Sequence, residues 1–330
     1  MIAEGTLIAT PAGAVPVETL RPGATVLALE DGATVARPLR WVGRLDVDLA
    51  RHPSPSRAAP VRLRAGAIAE GVPARDLLLS PDHALLLDGA LFQAQALRNG
   101  ASIAQDTAPT RIAYAHLELA RHGAVLAEGL AVETYLDTGN RGLFGAGRAP
   151  RGLAPDLAAV PSGGTLALVK ARAFAPLRLD TAAIAEAHAM AMARARALGW
   201  SLTEDAGLSV LADGAEAPLV RFGDNLWSAR LPEGTRAVRL LSRRFVPGER
   251  DPRIADRRVL GIAVRAVHLA ERPIAAGAYG RGWHLSEAEW RWTDGDARIG
   301  LRPLARAMAL EIYTAPGAVP GYWIAPGEST

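Results

Sequence analysis

The 330-residue chain contains no cysteine. Disulfides, thiolate-ligated zinc and thiol catalysis are therefore excluded at once. Lysine is almost absent, with Lys170 alone, so the high isoelectric point rests on arginine. The arginines are scattered, and no basic block interleaved with aromatics occurs. A net charge of +3 spread in this way gives no electrostatic footprint for a nucleic-acid partner. No apolar run approaches the length of a membrane-spanning helix. The first thirty residues lack the basic start and apolar stretch of a secretory signal, leaving a cytoplasmic location and leaderless export both open. No nucleophile elbow, no carboxylate pair at useful spacing and no phosphate-binding glycine loop is present, so neither an independent hydrolase site nor a cofactor is expected.

What is present reads as β structure. Gly5–Thr10, Ala24–Leu29, Leu39–Val47, Val61–Arg64, Leu77–Ser80, Ala84–Leu87, Ile112–Leu119 and Ala124–Glu128 are apolar or alternating runs of strand length. They are punctuated by Pro22-Gly23, Asp31-Gly32, Asp88-Gly89 and Asn99-Gly100, which are turn dipeptides. One short stretch near Leu91–Leu97 has helical spacing. The pattern predicts an all-β domain over residues 1–140. Residues 141–200 read as a Gly/Pro/Arg-rich linker followed by an Ala-rich helix, Thr181–Gly199, with Thr181 as N-cap and Gly199 closing it. Met190 and Met192 on that helix read as packing residues. Residues 201–330 return to short strands: Leu208–Leu211, Leu226–Leu231, Ala237–Leu241, Val259–Leu269, Trp290–Trp292 and Leu310–Tyr313. They predict a second all-β unit, most simply a β-sandwich.

Several pieces of the first region recur in a fixed order. The chain opens Ala3-Glu4-Gly5-Thr6-Leu7-Ile8-Ala9-Thr10-Pro11, followed by Val15-Pro16-Val17-Glu18, Leu20-Arg21-Pro22-Gly23 and Arg40-Trp41-Val42-Gly43. Further on come Leu79-Ser80-Pro81-Asp82-His83-Ala84-Leu85 and His116-Leu117-Glu118-Leu119. The series ends with His122, Ala127-Glu128-Gly129-Leu130 and Glu133 through Asn140. In number, order and spacing these pieces resemble bacterial Hint domains, the β fold of hedgehog autoprocessing proteins and inteins.

The resemblance implies an intramolecular acyl shift in which the flanking polypeptide is the substrate. A Cys, Ser or Thr at the first position attacks the preceding carbonyl, while a hydroxyl and a histidine bind the oxyanion and protonate the departing amine. Ser80 and His83 match the Thr-x-x-His motif that supplies those two groups. His116 falls where related domains carry a further catalytic polar residue, and His122 matches a histidine of the closing strand. Met1 stands at the nucleophile position, and a thioether has no acidic proton with which to form a stable acyl intermediate. With Met1 as the start there would be no upstream polypeptide to cleave. The His-Asn pair used for C-terminal cyclisation is replaced by Leu130-Ala131-Val132-Glu133, so splicing is not expected. Read without the resemblance, Ser80, Asp82 and His83 are a polar turn closing a hairpin. His83, His116 and His122, with or without Asp82, could also form a zinc site, but they offer no i, i+2 or i, i+4 ligand pair.

The second region carries Arg257–Val264, Gly282-Trp283-His284 and Glu289–Ala297. There it resembles β-sandwich modules attached to bacterial Hint proteins and to some polysaccharide-related glycosyltransferases, which implies at most an accessory, lectin-like role. Trp290 and Trp292 share a strand face. Either they form an exposed platform for sugar rings, with Asp294 and Asp296 as hydroxyl acceptors, or they fill the core and Asp294-Gly295 is a hairpin turn. The second functional reading is accordingly a non-enzymatic binding module for a glycan.

Overall fold

The computed structural model describes residues 1–144, 167, 169, 171–315, 317 and 321–328. The chain divides into two compact units, Met1–Gly199 and Trp200–Thr330. Both are built from antiparallel strands, so the all-β class holds.

In the first unit, one sheet runs in the order 103–105, 61–63, 77–79, 2–3, 111–118 and 41–48. The other runs 90–93, 84–87, 130–133, 124–127, 7–10 and 13–16, with 25–30 pairing both 124–127 and 33–38. The long pair Trp41–Asp48 and Arg111–Glu118 stays in register for eight residues. Its alternation shows why these runs are strands: Leu45 and Val47 turn inward while Arg44 and Asp46 face out. Ile2, Leu63, Leu79 and Leu117 from the first sheet share one apolar cluster with Ile8, Val26, Leu85 and Val132 from the second.

Tight hairpins set the registers. Asp31-Gly32 and Asp88-Gly89 both have two successive positive φ angles (48° and 78°, 46° and 75°), the signature of a type I′ loop. Glu128-Gly129 does the same between 124–127 and 130–133 with φ of 48° and 81°, although glutamate is an unusual residue for that conformation. The helical expectation near Leu91–Leu97 is corrected to a strand, Ala90–Gln93, followed by a 3-10 turn, Ala94–Leu97. Pairing of Ala90–Gln93 with Ala84–Leu87 across Asp88-Gly89 overrides the local spacing.

The helix α1 spans Thr181–Ala197, and its N-cap is Asp180 rather than Thr181: the Asp180 carboxylate accepts the Ala183 amide at 2.9 Å. Gly199 follows the last turn with φ of 89°. Ala187 and Ala191 enter the core of the first unit, so α1 belongs to that unit. The small side chains let its backbone come close, and the buried Asn99 side chain donates to the Ala191 carbonyl at 3.0 Å. Ahead of α1, residues 176–178 run beside Leu91, with Leu91 N–H donating to the Pro176 carbonyl and Arg178 N–H to the Leu91 carbonyl, each at 2.9 Å. The linker expectation is thereby shortened: 174–180 lie against the first unit, and Gly145–Gly152 and Pro161–Gly164 fall outside the described residues. Met192 is partly buried, whereas Met190 is 57% exposed and does not pack as expected.

The second unit places a four-stranded sheet (215–217, 209–212, 237–241, 296–300) and a seven-stranded sheet around one cluster. The seven-stranded sheet runs 219–222, 226–231, 308–314, 263–269, 291–293 and 283–286, with 272–273 on its side. Val210, Val238 and Ile299 of the smaller sheet meet Leu231, Val267, Leu310 and Ile312 of the larger. Asp294-Gly295 is not a hairpin turn. The strands it joins, Arg291–Thr293 and Asp296–Gly300, belong to different sheets, so the dipeptide carries the chain from one layer to the other. A Cβ at Gly295 would lie 2.3 Å from Arg244 Cγ, so glycine is required at this crossing. Among the described residues, no helix is long and apolar enough to cross a membrane.

Candidate functional site

Residue 1 lies inside the first unit. The strand Ile2–Ala3 is central in its sheet, flanked by Leu77–Leu79 and Arg111–Glu118. This placement brings the first residue to the turn that follows Leu79. Ser80 N–H donates to the Met1 carbonyl at 2.8 Å, and the Met1 amine donates to the Ser80 hydroxyl at 2.5 Å. The turn continues through Pro81 and Asp82, with the His83 amide donating to the Ser80 carbonyl at 3.1 Å. Both Met1 and Ser80 are 0% exposed, His83 is 1% and His116 is 8%. The His83 and His116 rings are 5.7 Å apart, so the turn carrying Ser80 and His83 meets the strand carrying His116 in one buried pocket.

The apolar wall of the pocket is aromatic. His116 packs against Tyr135 and Phe144 at 5.1 and 5.2 Å, and Trp41 stacks on Tyr135 at 4.9 Å. The Met1 side chain is part of the same cluster, with Leu45, Val47 and Tyr114. Arg141 closes it from outside. Its guanidinium donates to both Glu118 oxygens at 2.6 Å and lies 5.1 Å from the centre of the Trp41 ring. The Tyr135 hydroxyl donates to Asn140 at 2.6 Å, and burial, with Asp137 nearby, pushes this phenol well above its ordinary range.

His122 stands apart from this group chemically. Its Nδ1 accepts the Phe174 amide at 3.3 Å and its Nε2 meets the Thr134 carbonyl at 3.0 Å. Both of its ring nitrogens are thus engaged by backbone groups. The structure thus brings Met1, Ser80, His83 and His116 together and gives His122 a supporting place. Asp82 accepts from the Gln95 side chain. No three histidine or acidic side chains among the described residues converge as a metal site would require.

Sequence reasoning passed over Glu133. It ends the strand Leu130–Glu133, and its carboxylate accepts the Ala84 amide at 2.8 Å. One oxygen is 3.8 Å from His83 Nδ1 and the other 3.7 Å from His122 Nε2. The available signal was a carboxylate closing an otherwise apolar strand.

In the second unit, Trp292 is buried against Phe245 at 5.7 Å, and Trp290 is half-buried on the same cluster. Of the two readings of this pair, the geometry is that of core packing. Asp296 is held by Arg239 through bonds of 2.9 and 2.7 Å, and Asp294 accepts the Asp296 amide at 2.9 Å. Both carboxylates therefore serve the fold here. Trp283 donates to the Arg298 carbonyl at 2.9 Å, and His284 Nε2 lies 2.8 Å from the Val259 carbonyl.

Antiparallel sheets thus enclose the first residue, whose nitrogen meets the Ser80 hydroxyl on the turn that also carries His83. Residues 2–139 match the family model of the Hint domain. Two solved structures are similar to part of the chain. One is the bacterial intein-like domain from Clostridium thermocellum, with 14% identity and a TM-score of 0.29, covering 41% of this chain and 97% of that one. The other is the MchDnaB-1 intein, with 12% identity and a TM-score of 0.29, covering 41% and 100%. No curated protein matches the chain.

Proposed function

We propose that the Hint domain of this chain is an acyl-shift centre whose supporting groups are in place and whose reaction is arrested at residue 1. The observation that carries the reading is the contact of the residue-1 nitrogen with the Ser80 hydroxyl, in a pocket that also buries His83 and His116. In an acyl shift a nucleophile on residue 1 adds to the carbonyl carbon preceding it, and the carbon–nitrogen bond then breaks. Holding the two in one fold replaces a bimolecular encounter, which in well-oriented cases contributes about 7–11 kcal/mol. The Ser80 hydroxyl is suited to bind charge developing at the scissile amide, and His83 to carry the proton to the departing nitrogen. Methionine at residue 1 has no proton to lose and cannot hold the acyl group as a stable ester or thioester.

The test is a Met1→Cys variant preceded by a short foreign peptide, incubated with and without dithiothreitol and followed by intact mass. Thiol-dependent release, abolished by His83→Ala, is the expected result. No release from a folded sample would remove the acyl-shift reading and leave the domain as a scaffold.

A further inference from the structure

Glu133 faces two imidazoles, and they are not equivalent. His122 is engaged on both ring nitrogens by backbone groups, the Phe174 amide and the Thr134 carbonyl. Its Nε2–H already has an acceptor, so the Glu133 oxygen 3.7 Å away gains little from it. His83 is 1% exposed, and its Nδ1 lies 3.8 Å from the other oxygen. The carboxylate itself is anchored, because it accepts the amide of Ala84, the residue that follows His83. That bond fixes Glu133 to the same turn that presents Ser80 and His83.

The surroundings of His83 give this carboxylate its weight. The Arg111–Glu118 strand contributes His116, and ahead of the first strand the amine of residue 1 meets Ser80 on the same turn as His83. As cations, both oppose a positive charge on His83. Asp82, on the same turn, is engaged by Gln95. From the Leu130–Glu133 strand comes Glu133, a negative charge within ion-pair distance of the ring. At low effective dielectric, a carboxylate that close favours the imidazolium.

We propose that Glu133 is the positioning residue for His83, keeping the Nδ1 edge of the ring turned to the carboxylate and favouring its protonated form. The proposal rests on the acyl-shift reading for its purpose, though not for its geometry. In that reaction a bond forms between the residue-1 nucleophile and the preceding carbonyl carbon, and the carbon–nitrogen bond breaks. The nucleophile's proton reaches the released amine by way of His83. Glu133 neither gives nor takes a proton; it stabilises the charged ring while the proton is in transit, as carboxylates beside catalytic histidines do.

The experiment combines two measurements on the full chain. Histidine ring signals are titrated by NMR in the present sequence and in its Glu133→Gln and Glu133→Asp variants. Peptide release is followed in the same pair of substitutions made in the Met1→Cys protein. Glu133→Gln should lower the His83 titration midpoint by about one pH unit. It should slow release about tenfold or more and move the acid limb of the rate profile to lower pH. Glu133→Asp should restore part of both, and it carries the comparison alone if the glutamine variant does not fold. Circular dichroism of each variant reports that the fold is intact. An unmoved His83 midpoint would reduce Glu133 to an acceptor for Ala84 and overturn the proposal, whatever the release rate. A lowered midpoint without release from any variant would uphold the pairing and overturn the acyl-shift reading instead.

Discussion

Met1 has two properties that pull in different directions. It stands where the acyl-shift reading requires a nucleophile, and its side chain is a buried member of the aromatic cluster around Tyr135 and Phe144. Met1→Cys therefore removes apolar volume as well as adding a thiol, and we expect a stability loss of about 2 kcal/mol, read from denaturant unfolding. Ser80 offers a cleaner comparison, since Ser80→Ala in the Met1→Cys protein removes one oxygen. Release should slow by about a hundredfold while the melting temperature changes little by comparison. At this scale the sequence was informative where chemistry and chain proximity coincide. Ser80 and His83 sit three apart on one turn, and their meeting with residue 1 follows the motif. Glu133 was not legible in the same way, because its partner His83 is fifty residues earlier and only the pairing of Val132 with Leu85 brings the two strands together.

Glu128 shows the same limit, and it makes a prediction with pH. Burial raises the energy of its charged form, but Arg75 and the Leu7 amide outweigh that, and its carboxyl lies below the ordinary 4.5. A carboxylate with a lowered folded value contributes stability above pH 4.5 and loses it as the pH falls through the lower folded value. Thermal melts between pH 6 and 3 should therefore show a falling transition temperature, and Glu128→Gln should flatten the dependence.

Among elements, the strands were the most legible, since alternation and Asx-Gly dipeptides are local signals. Leu226–Leu231 and Ala237–Leu241 were given by pattern to the residue. The elements misread were those decided by distant partners. The Asp294-Gly295 crossing looked like a hairpin because the turn chemistry is the same; the difference lies in which strands its neighbours pair with. The seat of α1 was equally hidden, because an alanine stripe says little about what it packs on. Asn99 is central to that seat. Its side chain accepts the Ala101 and Ile103 amides at 2.9 and 3.0 Å and donates to Ser102 and to Ala191 of α1. Asn99→Ala would strand buried amides, at a cost of about 3 kcal/mol in unfolding experiments.

For the whole molecule, the boundary that matters is Gly199/Trp200 rather than the end of the family match near residue 139. Ala187 and Ala191 complete the core of the first unit, so a fragment ending at 140 leaves Leu97 and Phe92 with part of their cover removed. A 1–199 fragment should melt in one cooperative transition, and a 1–140 fragment should melt at lower temperature or with a broadened one, as measured by circular dichroism or calorimetry.

That boundary also divides the indoles unevenly. Of seven tryptophans, six lie at position 200 or beyond, and Trp41 is alone in the first unit. Trp41 is also the ring on which Tyr135 stacks and over which the Arg141 guanidinium rests. A 1–199 fragment thus carries a single tryptophan, packed against the cluster that holds the Met1 side chain. Its emission would follow the opening of the Arg141–Glu118 clasp in real time, with no dye attached.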